Sequence, residues 1–299
     1  MLNEGPAFPP RVFVIIASMF RLILPLAICA TVFAQTNPAW RRPFPAYKIA
    51  GNLYYVGTED LACFLFVTPA GDILVNTGLA DSTPLIRESF RKLGFRLEDV
   101  KILLTMQAHY DHVAAMNEIR AITGAKVYIT EPDAPVLEDG GKSDPYLTGP
   151  EYRFAPVKVD RRLKDGDVVS FGGTELKVIL TPGHTRGSVS YATSLMDQGQ
   201  KRSVLLANIN TVVMPLVGNP KYPQIVEDYE RAYATQRQLA PDIWAGAHAG
   251  QYDMAVKVKA GSFIDPQGYK QTVEHYYSLF RETLEKERKA APRPIPRHP

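Results

Sequence analysis

Gln107, His109, Asp111 and His112 bring four metal-competent side chains into one short stretch, Gln107-Ala108-His109-Tyr110-Asp111-His112. Imidazole nitrogen and carboxylate oxygen are the usual donors to catalytic zinc. Spacing of two suits one face of an extended chain, but the step from Asp111 to His112 does not. No single strand or helix aims all four the same way, so the stretch reads as a loop folded around a cation. Two donor sets this close suggest two metals rather than one. The plainer alternative is a polar turn in which the histidines coincide.

The elements that must position these donors flank the loop. Val100 to Leu104 is an apolar run that reads as a buried strand, and Val113 to Ile122 has helical apolar spacing. His184 sits in Thr181-Pro182-Gly183-His184-Thr185, directly after another strand-like run. His248 sits in Ala245-Gly246-Ala247-His248-Ala249-Gly250, again after a strand-like run and among small residues. Three strand ends thus each deliver histidine into a loop, the placement expected of a site along one edge of a sheet. Of the six histidines, the other two are His275, off the apolar face of the last helix, and His298 near the end. Neither is expected to bind metal.

The remaining pattern is of short strands and helices. Strands are predicted at 47–50, 53–56, 63–68, 72–76, 100–105 and 126–130, separated by signals such as Ala50-Gly51-Asn52. Asp81 or Ser82 would cap a helix ending near Leu93, and 113–123 would form another. In residues 131–156 five prolines, the pair Gly140-Gly141 and Gly149 break regularity, giving helix pieces and loops. There Tyr146, Leu147, Tyr152 and Phe154 either line one wall of a cleft or pack a surface loop. The second half repeats the outline: strands at 167–171, 174–180, 188–193, 203–208 and 242–246, with helices at 224–238 and 269–289. Val273, Tyr277, Phe280 and Leu284 give the last helix an apolar face. Two strand-rich halves, each closing with helices, imply an α/β fold of two sheets packed between helical layers.

The chain has 299 residues, 45% hydrophobic and 22% charged, which is globular composition. A formal net charge of +3 with no long basic run gives no reason to expect nucleic acid as a partner. Residues 1–34 read as an export signal: Arg21, an apolar run from Leu22 to Phe33, and a small residue, Ala34, before Gln35. Met19 is an alternative start. The apolar segment Val12 to Phe20 is separated from the second run by Arg21, so each half is short for a membrane anchor, and Ile28 is too bulky for a lipid-attachment signal at Cys29. The expected product is a periplasmic or secreted domain at 35–290, a monomer with no stable membrane partner, followed by a disordered Pro-rich tail at 291–299. Cys63, the single cysteine after the leader, reads as a buried small hydrophobe.

Gln107-x-His109-x-Asp111-His112, then Thr181-Pro182-Gly183-His184-Thr185, then His248 resembles the metallo-β-lactamase superfamily. Gly218-Asn219-Pro220-Lys221-Tyr222-Pro223, Glu227-Asp228-Tyr229 and Phe263-Ile264-Asp265-Pro266-Gln267-Gly268-Tyr269 narrow the resemblance to subclass B3. It implies a four-layer αββα sandwich with two zinc ions at one edge of its two mixed sheets. Gln107, His109 and His184 would hold the first zinc; Asp111, His112 and His248 would hold the second. It further implies hydrolysis of the β-lactam amide of penicillins, cephalosporins and carbapenems by metal-bound hydroxide, with Asp111 as the catalytic carboxylate.

Three departures qualify the resemblance. Gln107 stands where the subclass usually has histidine, and an amide oxygen is the weaker zinc donor, so the first site should be the more easily emptied. The run Leu205-Leu206-Ala207-Asn208-Ile209-Asn210-Thr211 lacks the bridging Asp of lactonase and glyoxalase-type relatives. Asn208 and Asn210 take the places where B3 enzymes carry serines near the substrate carboxylate, so they either bind substrate or bond their own turn. Asn76 replaces an Asp that braces a ligand histidine in many relatives. The competing functions are a hydrolase of lactones, esters or phosphoesters on the same scaffold, or a non-catalytic zinc protein.

Overall fold

Apolar alternation builds two sheets. The computed structural model describes residues 37–291; the expected leader, and the tail from 292 on, lie outside the described residues. The first sheet contains β1 (Tyr47–Ala50), β2 (Leu53–Tyr55), β3 (Phe64–Phe66), β4 (Asp72–Val75), β5 (Val100–Leu104), β6 (Lys126–Thr130) and β7 (Arg161–Leu163), side by side in chain order. β1 to β4 form an antiparallel meander, and β4 to β7 run parallel. The second sheet contains β8 (Val168–Phe171), β9 (Thr174–Leu180), β10 (Val189–Asp197), β11 (Gln200–Ala207) and β12 (Ile243–Gly246), in the order β12-β11-β10-β9-β8. Only β12 is parallel to its neighbour, so both sheets are mixed.

Alternate residues of one strand enter different cores. Phe64, Phe66, Ile73, Val75, Ile102 and Leu104 face Leu176, Val178, Tyr191 and Leu206 of the other sheet. Their neighbours Leu65, Leu74 and Leu103 face outward instead. There they meet Ile86 and Phe90 of α1 (Thr83–Leu93), and Met116 and Ile119. Those two lie on α3 (Met116–Thr123), which follows the single turn α2 (Tyr110–Val113). The next helix is α4 (Ala134–Glu138). The second sheet is covered by α5 (Ile225–Gln238) and, after α6 (Met254–Ala260), by α7 (Pro266–Ala290). The Tyr229 and Phe280 rings stack at 5.1 Å, joining α5 to α7. The order of layers is helix, sheet, sheet, helix, as the resemblance implies.

The structure departs from the sequence reading in local ways. The helix expected at 113–123 is broken at Ala114–Ala115 into α2 and α3. Ser82 occupies the cap position of α1, but its side chain makes no capping bond. β7 escapes pattern reading because Arg161 and Arg162 are exposed. α6 escapes it because Val256 and Val258, both β-branched, have weak helix preference.

Asn76 ends β4 with φ of 63°, a left-handed conformation that Asn tolerates better than most residues. Its side chain is fully buried. The amide Nδ2 donates to the Ala62 carbonyl at 2.9 Å, and Oδ1 accepts from Met106 N at 2.9 Å and Thr105 Oγ1 at 3.2 Å. Asn76 therefore braces the main chain entering the donor loop rather than a ligand histidine, which corrects the expectation. Asn76→Asp, the residue common among relatives, would set a carboxylate oxygen against the Ala62 carbonyl. We expect a loss of about 1–3 kcal/mol in chemical unfolding at pH 7. Burial and the carbonyl raise the folded-state pKa of such an acid above its unfolded value of about 4, so the deficit should shrink as pH falls from 7 toward about 4 and level off below it. Equal stability of variant and parent at pH 7 would contradict this account.

Candidate metal centre

The donor loop changes conformation in its middle, which resolves the spacing problem. Past β5 the chain bends at Met106 and again at His109, which is itself extended (φ −71°, ψ 149°), then enters the helical turn α2. Gln107 and His109 precede the turn, while Asp111 and His112 lie within it. Thr105 Oγ1 donates to the Gln107 carbonyl at 2.6 Å, and Thr77 N donates to the His112 carbonyl at 2.8 Å, fixing both ends.

His184 follows β9 in a turn closed by Thr181 N on the Ser188 carbonyl at 2.8 Å. Gly183 there has φ of 133°, and a Cβ would lie 2.8 Å from the Tyr229 ring, so no other residue fits. His248 follows β12, held by Ala62 N on the Ala247 carbonyl at 3.1 Å. Residues from three strand ends thus meet at one edge of the sandwich, as the sequence pattern implies.

The donors gather into two groups. The His109 and His184 rings lie 4.8 Å apart, and Gln107, His184 and His248 line one cleft of about 360 Å³. Asp111, His112 and His248 each offer a ligand atom, all within 4.8 Å of one another. Asp111 Oδ2 is 3.4 Å from His112 Nε2 and 3.5 Å from His248 Nε2.

The free lone pairs in these groups fit a metal. Gln107 Oε1 and both ring nitrogens of His112 are buried with no hydrogen-bond partner. Orphaned buried polar atoms are costly and rare in folded proteins, and a cation supplies the missing partner. The nitrogen and oxygen donor set suits zinc. Burial pushes His112 down to about 4 and lowers His109 and His184, so these imidazoles stay neutral with lone pairs free. Burial opposes the charge on Asp111, but His112 and His248 outweigh it and hold the carboxyl below the usual range. Burial likewise opposes protonation of His248, yet Asp111 and Asp60 raise it to about 9. A metal must therefore displace that proton, the usual coupling of metal binding to proton release.

Each of three histidines has an outer acceptor that fixes its ring. His184 Nδ1 meets the Thr211 carbonyl at 2.9 Å, His248 Nδ1 meets Asp60 at 3.0 Å, and His109 Nε2 lies 3.4 Å from Asp144. Asp60, Asp144 and a third buried carboxylate, Asp133, were not singled out by sequence reasoning. Asp60 and Asp144 stand two residues or more from any strand end, and nothing local marks them.

The other expected site residues lie elsewhere or are engaged. Asn210 is fully buried, and its amide donates to the Thr181 and Pro182 carbonyls at 3.0 and 3.2 Å. Asn208 lines the cleft, but its Nδ2 donates to the Met106 carbonyl at 2.8 Å. The acceptors lie on other segments rather than on the asparagines' own turn, so these amides tie the run to the donor loop and to the His184 turn; a buried amide must satisfy its hydrogens within the protein. Tyr146 is 43% exposed and is not among the residues lining this cleft. Aromatic residues do lie beside the donors: Tyr152 packs on Tyr110 at 5.2 Å, and Trp40 lies 6.2 Å from Tyr110 and 5.9 Å from His248. A larger open groove of about 920 Å³, lined by residues such as Phe171, Lys177 and Met196, contains none of the histidines.

Comparison with known proteins agrees with this arrangement. The metallo-β-lactamase superfamily model matches residues 57–194. The class B3 di-zinc metallo-β-lactamase LRA-12 from an Alaskan soil metagenome is 42% identical, covering 83% of this chain and 97% of that one, with a TM-score of 0.80. BJP-1, a subclass B3 metallo-β-lactamase of Bradyrhizobium japonicum, is 34% identical over 84% of this chain and 98% of its own, also with a TM-score of 0.80. A hydroxyacylglutathione hydrolase from Fuscovulum blasticum is 38% identical over 33% of this chain. The chain spans between 30% and 64% of the length of such curated relatives. The chain belongs to the metallo-β-lactamase superfamily, a group of metallo-hydrolases, and its structural relatives are the subclass B3 enzymes.

Asp133 joins two of the donor loops. Its carboxylate accepts from Ala108 N at 3.0 Å, Thr185 Oγ1 at 2.7 Å and Gly187 N at 2.7 Å. Asp133→Ala would leave buried N–H groups on both loops without acceptors. We expect a loss of roughly 2–4 kcal/mol in chemical unfolding, on the order of 1–3 for each group left bare. A loss below about 0.5 kcal/mol, the scale of an ordinary surface substitution, would contradict this role.

Proposed function

We propose that this protein is an exported zinc β-lactamase that hydrolyses the amide bond of penicillins, cephalosporins and carbapenems. The observation that carries the reading is the sorting of the donors into two adjacent groups beside one cleft. Identity of 42% to a class B3 di-zinc enzyme over nearly its whole length supports it. In this reading Gln107, His109 and His184 hold one zinc, and Asp111, His112 and His248 hold the other. The apolar leader supports export to the periplasm or beyond.

Zinc bound there supplies Lewis acidity, polarising a carbonyl oxygen and lowering the pKa of water to about 7. The chain's own residues supply the orientation. Asp111, held ionised between His112 and His248, accepts a hydrogen bond from the attacking water and aims it at the lactam carbonyl. As the C–O bond forms and the C–N bond breaks, Asp111 carries the proton to the departing nitrogen. Trp40, Tyr110 and Tyr152 pack together beside His248 and the donor loop, where they would offer apolar surface to the substrate's side chain. No side-chain nucleophile and no acyl-enzyme are required.

The test is hydrolysis of nitrocefin and of a carbapenem by the purified protein. We expect turnover of both, abolished by EDTA and restored by zinc. Folded, zinc-loaded protein that turns over neither would overturn the β-lactamase reading and direct the search to lactones, esters and phosphoesters.

A further inference from the structure

Asp60 lies outside the donor loops, yet one of its oxygens serves two of the site's elements. Oδ2 accepts from Trp40 Nε1 at 2.8 Å and meets His248 Nδ1 at 3.0 Å. The other oxygen accepts from Gly250 N at 3.3 Å, and the Asp60 carbonyl accepts from Ala249 N at 2.8 Å. Asp60 is thereby fixed against the turn that carries His248. With Nδ1–H directed at Asp60, the His248 lone pair falls on Nε2, which points toward Asp111.

Trp40 belongs to a short strap. The turn Pro38–Trp40 is capped by Asn37, whose Oδ1 accepts from Ala39 N at 3.0 Å. The strap is fastened by Arg42 to Glu59, next to Asp60, and by Arg41 to Asp81. The Trp40 ring lies 5.9 Å from the His248 ring and 6.2 Å from Tyr110. The strap and the second metal group therefore meet at one carboxylate oxygen.

We propose that Asp60 is a positioning residue that couples the seating of the Trp40 strap beside His248 to metal binding at that histidine. This rests on His248 as a metal ligand. Coupling of this kind is reciprocal: metal that fixes His248 against Asp60 also fixes the acceptor of the Trp40 N–H. The strap is then firmest when the second site is filled.

The protein contains two tryptophans, so a metal-induced emission change present in the parent and absent in Trp40→Phe belongs to Trp40. Zinc affinity of the tighter binding step is measured against a chromophoric chelator for the parent, Asp60→Asn, Trp40→Phe, the double variant and His248→Ala. Circular dichroism of each variant must match the parent. Asp60→Asn preserves shape and replaces one oxygen by an amide; we expect zinc affinity to fall roughly ten- to a hundredfold and the Trp40 signal to diminish. Trp40→Phe should weaken zinc severalfold in the parent and add nothing beyond Asp60→Asn. If Asp60→Asn binds zinc as the parent does, or the two substitutions act additively, the proposal is wrong. If His248→Ala also binds zinc as the parent does, the ligand assignment itself has failed; if His248→Ala alone loses zinc, only the coupling has.

Discussion

Two carbonyls, those of Thr105 and Met106, tie the first sheet to the second where the donor loop begins. The Thr105 carbonyl accepts from Tyr191 Oη at 2.9 Å. The Met106 carbonyl accepts from Val189 N at 2.9 Å and Asn208 Nδ2 at 2.8 Å. Met106 N reaches back to Asn76 in the first sheet. All of these groups are buried, so each bond lost would leave a bare polar group in the core. The starting point of the donor loop is thus set by both sheets at once. Loops hung from the ends of β9 and β12 can converge on it only because the two sheets are registered here.

From that tie the metal-binding groups follow in order. The irregular segment up to His109 and the turn after it sort four closely spaced donors into two groups. Asp133 then holds the His184 loop to the first donor loop, while Asp60 holds the His248 turn. Burial keeps three imidazoles neutral and leaves Gln107 Oε1 and His112 without partners. The polypeptide alone leaves these atoms unsatisfied at the sandwich edge. A cation bound there would satisfy the Gln107 oxygen and the one His112 nitrogen that carries a lone pair.

The sequence revealed these donors because their types are rare together and each sits just after an apolar run. The two sheets between helical layers were legible from short apolar runs, such as Phe64-Leu65-Phe66, and from turn signals, and the four-layer sandwich followed from the resemblance. The bracing residues were not legible. Asp60 meets a histidine 188 residues away, and no local pattern encodes such a pairing. Asn208 and Asn210 have the right chemistry to bind a carboxylate, and only their surroundings show that carbonyls already engage their amides. Asn76 was correctly noticed, but its partner is main chain rather than imidazole. Helix breaks such as Ala114–Ala115 depend on tertiary packing over residues of good helix preference.

The central claim is that one sandwich edge holds two metals in neighbouring sites of unequal strength. A crystal of the protein grown with limiting zinc, measured by anomalous diffraction at the zinc edge, tests it directly. The account predicts a strong peak among Asp111, His112 and His248 and a weaker one among Gln107, His109 and His184, with the second peak rising as zinc is added. Zinc located away from these residues, or a Gln107 site that fills first, would contradict it.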